Sequence, residues 1–146
     1  EETNYLLSTY EDMNFSIEKE ESFISTMRDG KDYLICAYID GKIIGDCSLS
    51  FDRHVKLRHR ANIGIGIKKE FWGVGIGSIL FEIMIELAKQ TEGIEQLNLA
   101  YLGTNLRGKT LYEKFGFVET GIIPKAIKQK DGSYEDEVYM TKFLDD

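Results

Sequence analysis

Residues 70–84 read EFWGVGIGSILFEIM: an aromatic pair, Phe71 and Trp72, then glycines at 73, 75 and 77, then an apolar run leading straight into a helix. Past the turn, Ile76, Leu80, Ile83 and Leu87 recur on one helical face, while Ser78, Glu82, Glu86 and Lys89 take the other. That spacing predicts a helix to about Gln90. The first N–H groups of a helix lack intrahelical partners and carry partial positive charge, and glycines let such amides close around a phosphate without obstruction by Cβ atoms. Trp72, Gly73, Val74, Gly75, Ile76, Gly77 and Ser78 therefore make a candidate anion cradle. A tight strand-to-helix connection uses glycine for the same steric reason, so the triple alone is a weak signal.

Two common phosphate motifs fail here. A Walker loop ends in Gly-Lys-Ser/Thr, whereas Gly77 is followed by Ser78 and Ile79. A Rossmann fingerprint needs Gly-x-Gly-x-x-Gly and an acidic residue at the end of the next strand. This chain has Gly-x-Gly-x-Gly, and its next strand ends in Ala100-Tyr101-Leu102. A nucleotide-binding module is disfavoured on both counts.

Working outward, RANIGIGI (60–67) before the turn reads as a strand, its nearly continuous apolar character suggesting burial on both faces. IEQLNLAYL (94–102) is the strand after the helix. Thr104 or Asn105 then caps a second helix, anchored by Leu111 and Phe115 and ended by Gly116. YLICAYI-DG-KIIGDCSLSF reads as a hairpin, because Asp40-Gly41 supplies the positive φ angles of a type I′ turn. A closing pair of strands, 117–129 and 133–144, surrounds a second such dipeptide, Asp131-Gly132. Near the start, Ser16 caps a helix carrying Ile17, Phe23, Ile24 and Met27 until Asp29-Gly30 stops it. The order predicts an α/β (α+β) domain with a mixed, predominantly antiparallel sheet flanked by helices.

With 146 residues, 42% of them hydrophobic, the chain suits one domain over 1–146. No window is long and apolar enough for a membrane span, and no secretory signal opens the sequence, so a cytoplasmic protein without membrane contact is expected. A net charge of -7 argues against nucleic acid and favours approach of cationic small molecules. Pairing about Asp40-Gly41 sets Cys36 opposite Gly45 and diagonal to Cys47, about 7 Å apart, too far for a disulfide, whose Cβ atoms lie about 3.8 Å apart. Both thiols are expected to be free and buried. His54 and His59 are spaced by five with no cysteine beside them, so no metal is expected.

The downstream stretch NLRGKTLYEKFGF (105–117), taken with WGVGIGSILFEIMIELA, resembles the GNAT superfamily of N-acetyltransferases. In that family a Gln/Arg-x-x-Gly-x-Gly turn binds the pyrophosphate of acetyl-CoA, and a later segment reads Asn-x-x-Ala-x-x-Leu-Tyr-x-Lys-x-Gly-Phe. Gly75 and Gly77 match the first pattern; Asn105, Leu111, Tyr112, Lys114, Gly116 and Phe117 match the second. DGKIIGDCSL and DGSYEDEVYMTKFL are similar to the family's early hairpin and closing strand, so the likeness runs from about Tyr33 to Leu144. Trp72 stands where the family usually has Gln or Arg, removing a side-chain contact to phosphate while leaving the backbone cradle. Gly108 replaces the usual Ala, at a cost of about 1 kcal/mol in helix propensity. The family begins with a strand and helix that have no counterpart here, so residues upstream of Glu1 are expected.

The resemblance implies acetyl transfer from acetyl-CoA to a primary amine by direct attack. A backbone N–H of the bulged strand, matching Ile65, Gly66 and Ile67, faces the reacting carbonyl, and the tyrosine matching Tyr112 gives a proton to the departing thiolate. Asn105 orders the loop or meets the pantetheine arm, and Arg107 and Lys114 are candidates for pairing with CoA phosphates. The position of the family's occasional glutamate base holds Asn62, so no base is named; Asp46, Tyr101, Glu135 and Asp136 lie on strands facing the acceptor side. The acceptor is a small-molecule or peptide amine. Exposed sheet edges make a homodimer a further expectation. A non-catalytic acyl-CoA-binding or sensor module is the alternative.

Overall fold

The computed structural model describes residues 32–145, and the helix expected after Ser16 lies outside them. The order is β1 (Asp32–Ile39), β2 (Lys42–Phe51), β3 (Arg60–Ile67), α1 (Ile76–Gln90), β4 (Gln96–Leu102), α2 (Leu106–Lys114), β5 (Val118–Lys128) and β6 (Tyr134–Phe143). The six strands form one sheet in the order β1-β2-β3-β4-β6-β5, antiparallel except for the β3/β4 pair, which α1 connects. The expected mixed sheet is therefore present.

One face of the sheet carries both helices. Cys47 and Leu49 of β2, Ala61 and Ile63 of β3, Leu97, Leu99 and Tyr101 of β4, and Val138 and Met140 of β6 alternate onto it. Leu80, Phe81, Met84, Ile85 and Ala88 of α1 pack against them. Ile83, expected on the buried stripe, is instead 44% exposed. Apolar side chains occupy most positions from 79 to 85, so periodicity marks a broad face, and the sheet takes the part centred on Phe81 and Met84. In β3, Asn62 and Gly64 are exposed, which corrects the expectation of burial on both faces.

The first hairpin turns as expected, with positive φ at Asp40 and Gly41. A register shift between Ala37 and Tyr38 then moves the pairing by one residue. Cys36 consequently stands opposite Asp46, and Ile35 opposite Cys47. The two cysteines point to opposite faces: both are free, Cys47 is buried, and Cys36 is only half-buried. In the turn of the second hairpin Gly132 has positive φ and Asp131 does not, and Gln129 N–H bonds to the Ser133 carbonyl across a three-residue loop. The Asp131 carboxylate accepts from Ser133 N–H at 2.9 Å and from its hydroxyl at 2.6 Å, a local bond that favours this wider loop.

Candidate active site

The sheet opens in its middle. Pairing between β3 and β4 stops after Arg60↔Gln96, Ala61↔Leu97 and Asn62↔Asn98, while β3 continues to Ile67. Beyond Asn62 its other edge stays fully paired with β2, without interruption from Phe51↔Ala61 to Gly45↔Ile67. No bulge interrupts that ladder, contrary to expectation. The edge of Ile65, Gly66 and Ile67 is freed by divergence from β4, and the half-buried main chain there borders a wedge-shaped opening.

The glycine turn closes the wide end of that wedge. Gly73 and Gly75 both have positive φ, 75° and 90°, and Gly75 is the N-cap of α1 with no side chain capping it. A Cβ at Gly75 would meet nothing within 4 Å, so the space above the first amides is open. Gly77 differs: its Cβ would lie 3.2 Å from Ile67 Cδ1 and 3.3 Å from Leu111 Cδ2, so this glycine serves the close approach of α1 to β3 and α2. These residues fit a diphosphate, since main-chain donors converge on an unobstructed, uncapped helix start.

Across the opening, Asn105 caps α2, its Oδ1 accepting from Gly108 N–H at 2.9 Å. A Cβ at Gly108 would come within 2.7 Å of Asn105 Nδ2, so the capping side chain here lies in the space that an alanine would take and would have to shift to admit one. Residues 107, 111 and 114 share one side of α2, the one facing the turn. Arg107 lies over the Trp72 ring, 5.2 Å from its centroid; Leu111 packs by Gly77; and Lys114 Nζ donates to Ser78 Oγ at 3.0 Å. The Trp72 indole N–H donates to the Ile67 carbonyl at 2.8 Å, so the residue that departs from the family pattern ties the turn to the end of β3.

Tyr112 is 7% exposed and packs against Phe81, Tyr101 and Phe117. Tyr112 is part of the core, and Leu111, the expected anchor of α2, packs half-buried against it. Burial, with smaller contributions from Cys47 and Tyr101, pushes its hydroxyl up to about 12. Cys47 pairs with Ile65 at the freed end of β3 and Tyr101 stands on β4, so Tyr112 lies beneath the opening between β3 and β4. Burial likewise pushes the Cys47 thiol up to about 12, with Asp46 adding to the shift.

The four polar strand residues do not form one group. Asp46 stands opposite Gly66 on the face away from the helices; it keeps solvent access, yet neighbouring protein desolvates its carboxyl and raises its pKa. Tyr101, Glu135 and Asp136 border a separate open basin of about 450 Å³ with Thr104, Glu119 and Tyr134. Both carboxylates there are engaged: Glu135 accepts from Thr104 Oγ1 and Gln129 Nε2, and Asp136 from Lys125 N–H.

The model of the Acetyltransferase (GNAT) family matches residues 2–117, most of the chain. The chain belongs to the GNAT family. A GNAT-family acetyltransferase from Streptococcus pneumoniae has a similar structure, with TM-score 0.91 and 27% identity over 97% of this chain and 85% of that one. The L-amino acid N-acetyltransferase AaaT of Escherichia coli (strain K12) is 26% identical over 108 residues, 74% of this chain and 66% of that protein. A phosphinothricin acetyltransferase from Sinorhizobium meliloti, solved in complex with AcCoA, shares the fold at TM-score 0.82, with 22% identity, 94% of this chain and 75% of that one covered. Among the described residues of this GNAT chain, no helix is long and apolar enough to cross a membrane.

Proposed function

We propose that this GNAT chain forms a single acetyltransferase domain that moves the acetyl group of acetyl-CoA to a small primary amine by direct attack. The observation that carries this reading is the opened β3/β4 seam running into an uncapped α1 behind Gly73 and Gly75. Acetyl-CoA supplies an acyl carbon activated as a thioester. The amides from Gly73 to Ser78 hold the diphosphate, and the freed main chain of Ile65–Ile67 donates to the acyl oxygen as charge gathers there. As the new N–C bond forms and the C–S bond breaks, the amine's proton passes to solvent and the Tyr112 hydroxyl donates to the leaving sulfur. With its pKa near 12, that hydroxyl is protonated at neutral pH and so available as a donor.

An amino acid or similar small amine is the acceptor supported by the activity in the AaaT name, and the net charge of -7 favours cationic amines in the same size range. The outermost strand β5 leaves Val118, Ile122 and Ile123 exposed, which supports a homodimer formed along that edge, a cytoplasmic one in keeping with the free thiols. Light scattering tests this part.

Thiol release from acetyl-CoA across a panel of amines, beside calorimetric titration with CoA, tests the reaction. Release with one amine identifies the acceptor, and absence of CoA binding removes the proposal. Tyr112→Phe is expected to keep CoA affinity and slow turnover by about 10²-fold; unchanged turnover removes the tyrosine's role. The reading as an acyl-CoA sensor draws on the two carboxylates already bonded at Glu135 and Asp136, and binding without release across the panel would select it.

A further inference from the structure

The family's side-chain contact to phosphate, expected at position 72, is replaced here by an indole. The indole has a defined place: its N–H is held by the Ile67 carbonyl at 2.8 Å, which fixes the ring plane at the end of β3. The Arg107 guanidinium covers that ring from the other wall of the cleft. Its Nη1 also lies 3.6 Å from where a Cβ at Gly73 would sit, directly over the bare main chain of the turn. A guanidinium stacked on an aromatic face keeps its N–H edge available for two oxygens of an anion, and indole is the strongest of the aromatic platforms.

The chain is acidic overall, yet among the described residues neither Arg107 nor Lys114 has a carboxylate within ion-pair distance. Lys109, on the same helix but directed elsewhere, is paired with Glu113 at 3.8 Å. On α2, then, Lys109 has a carboxylate at ion-pair distance, and the two cations that face the glycine turn do not.

We infer that Trp72 is a platform for Arg107, so that the cation clamping the diphosphate comes from α2, across the cleft, instead of from residue 72 of the turn itself. Trp72 is a positioning residue in this arrangement and acts through Arg107. The inference rests on the proposed use of CoA. It also implies that diphosphate binding draws the turn and α2 together, because the ligand is held by main chain from one wall and a side chain from the other.

Calorimetry with CoA, 3′-dephospho-CoA and pantetheine on the full chain tests this, with fluorescence of Trp72, the sole tryptophan, as a second readout. Arg107→Ala is expected to weaken CoA and dephospho-CoA by about tenfold or more, to leave pantetheine unchanged, and to alter the emission of the free protein. Lys109→Ala, which removes an equal charge from the same helix, should change CoA affinity by less than about twofold. Trp72→Ala should weaken CoA less than Arg107→Ala, and the double variant should be no weaker than Arg107→Ala alone. Trp72→Phe keeps an aromatic platform without the Ile67 bond and should fall between wild type and Trp72→Ala. Failure of the wild type to bind CoA would overturn the proposed function. Wild-type binding with equal affinity in Arg107→Ala would overturn the clamp alone, as would a loss confined to CoA, which would place the arginine on the 3′-phosphate. Multiplying effects in the double variant would overturn the platform role of Trp72.

Discussion

The two helices that face each other across the cleft begin in opposite ways. Helix α1 starts at Gly75 in a left-handed conformation with no side chain over its first amides, whereas α2 starts at Asn105, whose own amide oxygen occupies the Gly108 N–H. Two helix starts of similar intrinsic polarity are thus given different work. The first is left unsatisfied and offers main-chain donors to an anion; the second is sealed by its own sequence and contributes only the side chains that project from it. A glycine in one start and a glycine in the other likewise mean different things, open space at Gly75 and room for a cap at Gly108.

The strongest way to break this contrast is to seal the open start. Gly75→Asp places a carboxylate where the phosphate is expected, and should lower CoA affinity by at least about 10²-fold, near 2.7 kcal/mol. Aspartate at this left-handed position carries the strain of a side chain at φ 90°, about 1 kcal/mol, so the melting temperature should fall by only a few degrees; a larger fall would mean that the loss of binding reflects unfolding. Gly77→Val tests the packing glycine of the same turn. Its side chain would press on Ile67 and Leu111, and denaturant titration should show a loss of about 1–3 kcal/mol. Opening the sealed start is milder: Asn105→Ala should cost about 1 kcal/mol of stability. Asn105→Ser, which restores a capping oxygen, should recover most of that, leaving any remaining loss of CoA affinity as the measure of a direct contact by the asparagine. Gly75→Ala sharpens the comparison most finely. It meets no neighbour, so only the strained φ opposes it, at about 1 kcal/mol, with CoA binding retained.

Much of this was readable before any coordinates, because several residues impose their conformation locally. Asp40-Gly41 forces a tight turn, Gly75 permits a left-handed N-cap, and Asn105 caps the helix that follows it. What escaped the reading depends on partners distant in the chain. The shift at Ala37/Tyr38 leaves no local mark, yet it turns Cys36 away from the face that Cys47 shares with the core. The helical period puts Leu111 and Tyr112 on adjacent faces without saying which one the sheet will take; the aromatic group of Phe81, Tyr101 and Phe117 takes the tyrosine. Trp72 looked like the loss of a ligand contact because its counterpart, Arg107, arrives from another helix. The opening itself was not read from the sequence, since nothing in the composition of β3 or β4 tells where two parallel strands stop pairing.

The short β3/β4 ladder also has a mechanical meaning. It divides the sheet into two leaves, β1-β2-β3 and β4-β6-β5, joined along a spine of three rungs from Arg60↔Gln96 to Asn62↔Asn98. Within each leaf the ladders are long and antiparallel, so the spine is the shortest pairing in the sheet. Buried there without hydrogen-bond partners, among the described residues, are Arg60 Nε and Asn98 Nδ2. The mouth of the wedge is therefore formed without any break in the ladders of either leaf. A long, jointed molecule can enter between the leaves without breaking the ladders of either, while the core that α1 and α2 lay across both leaves keeps them joined beneath it.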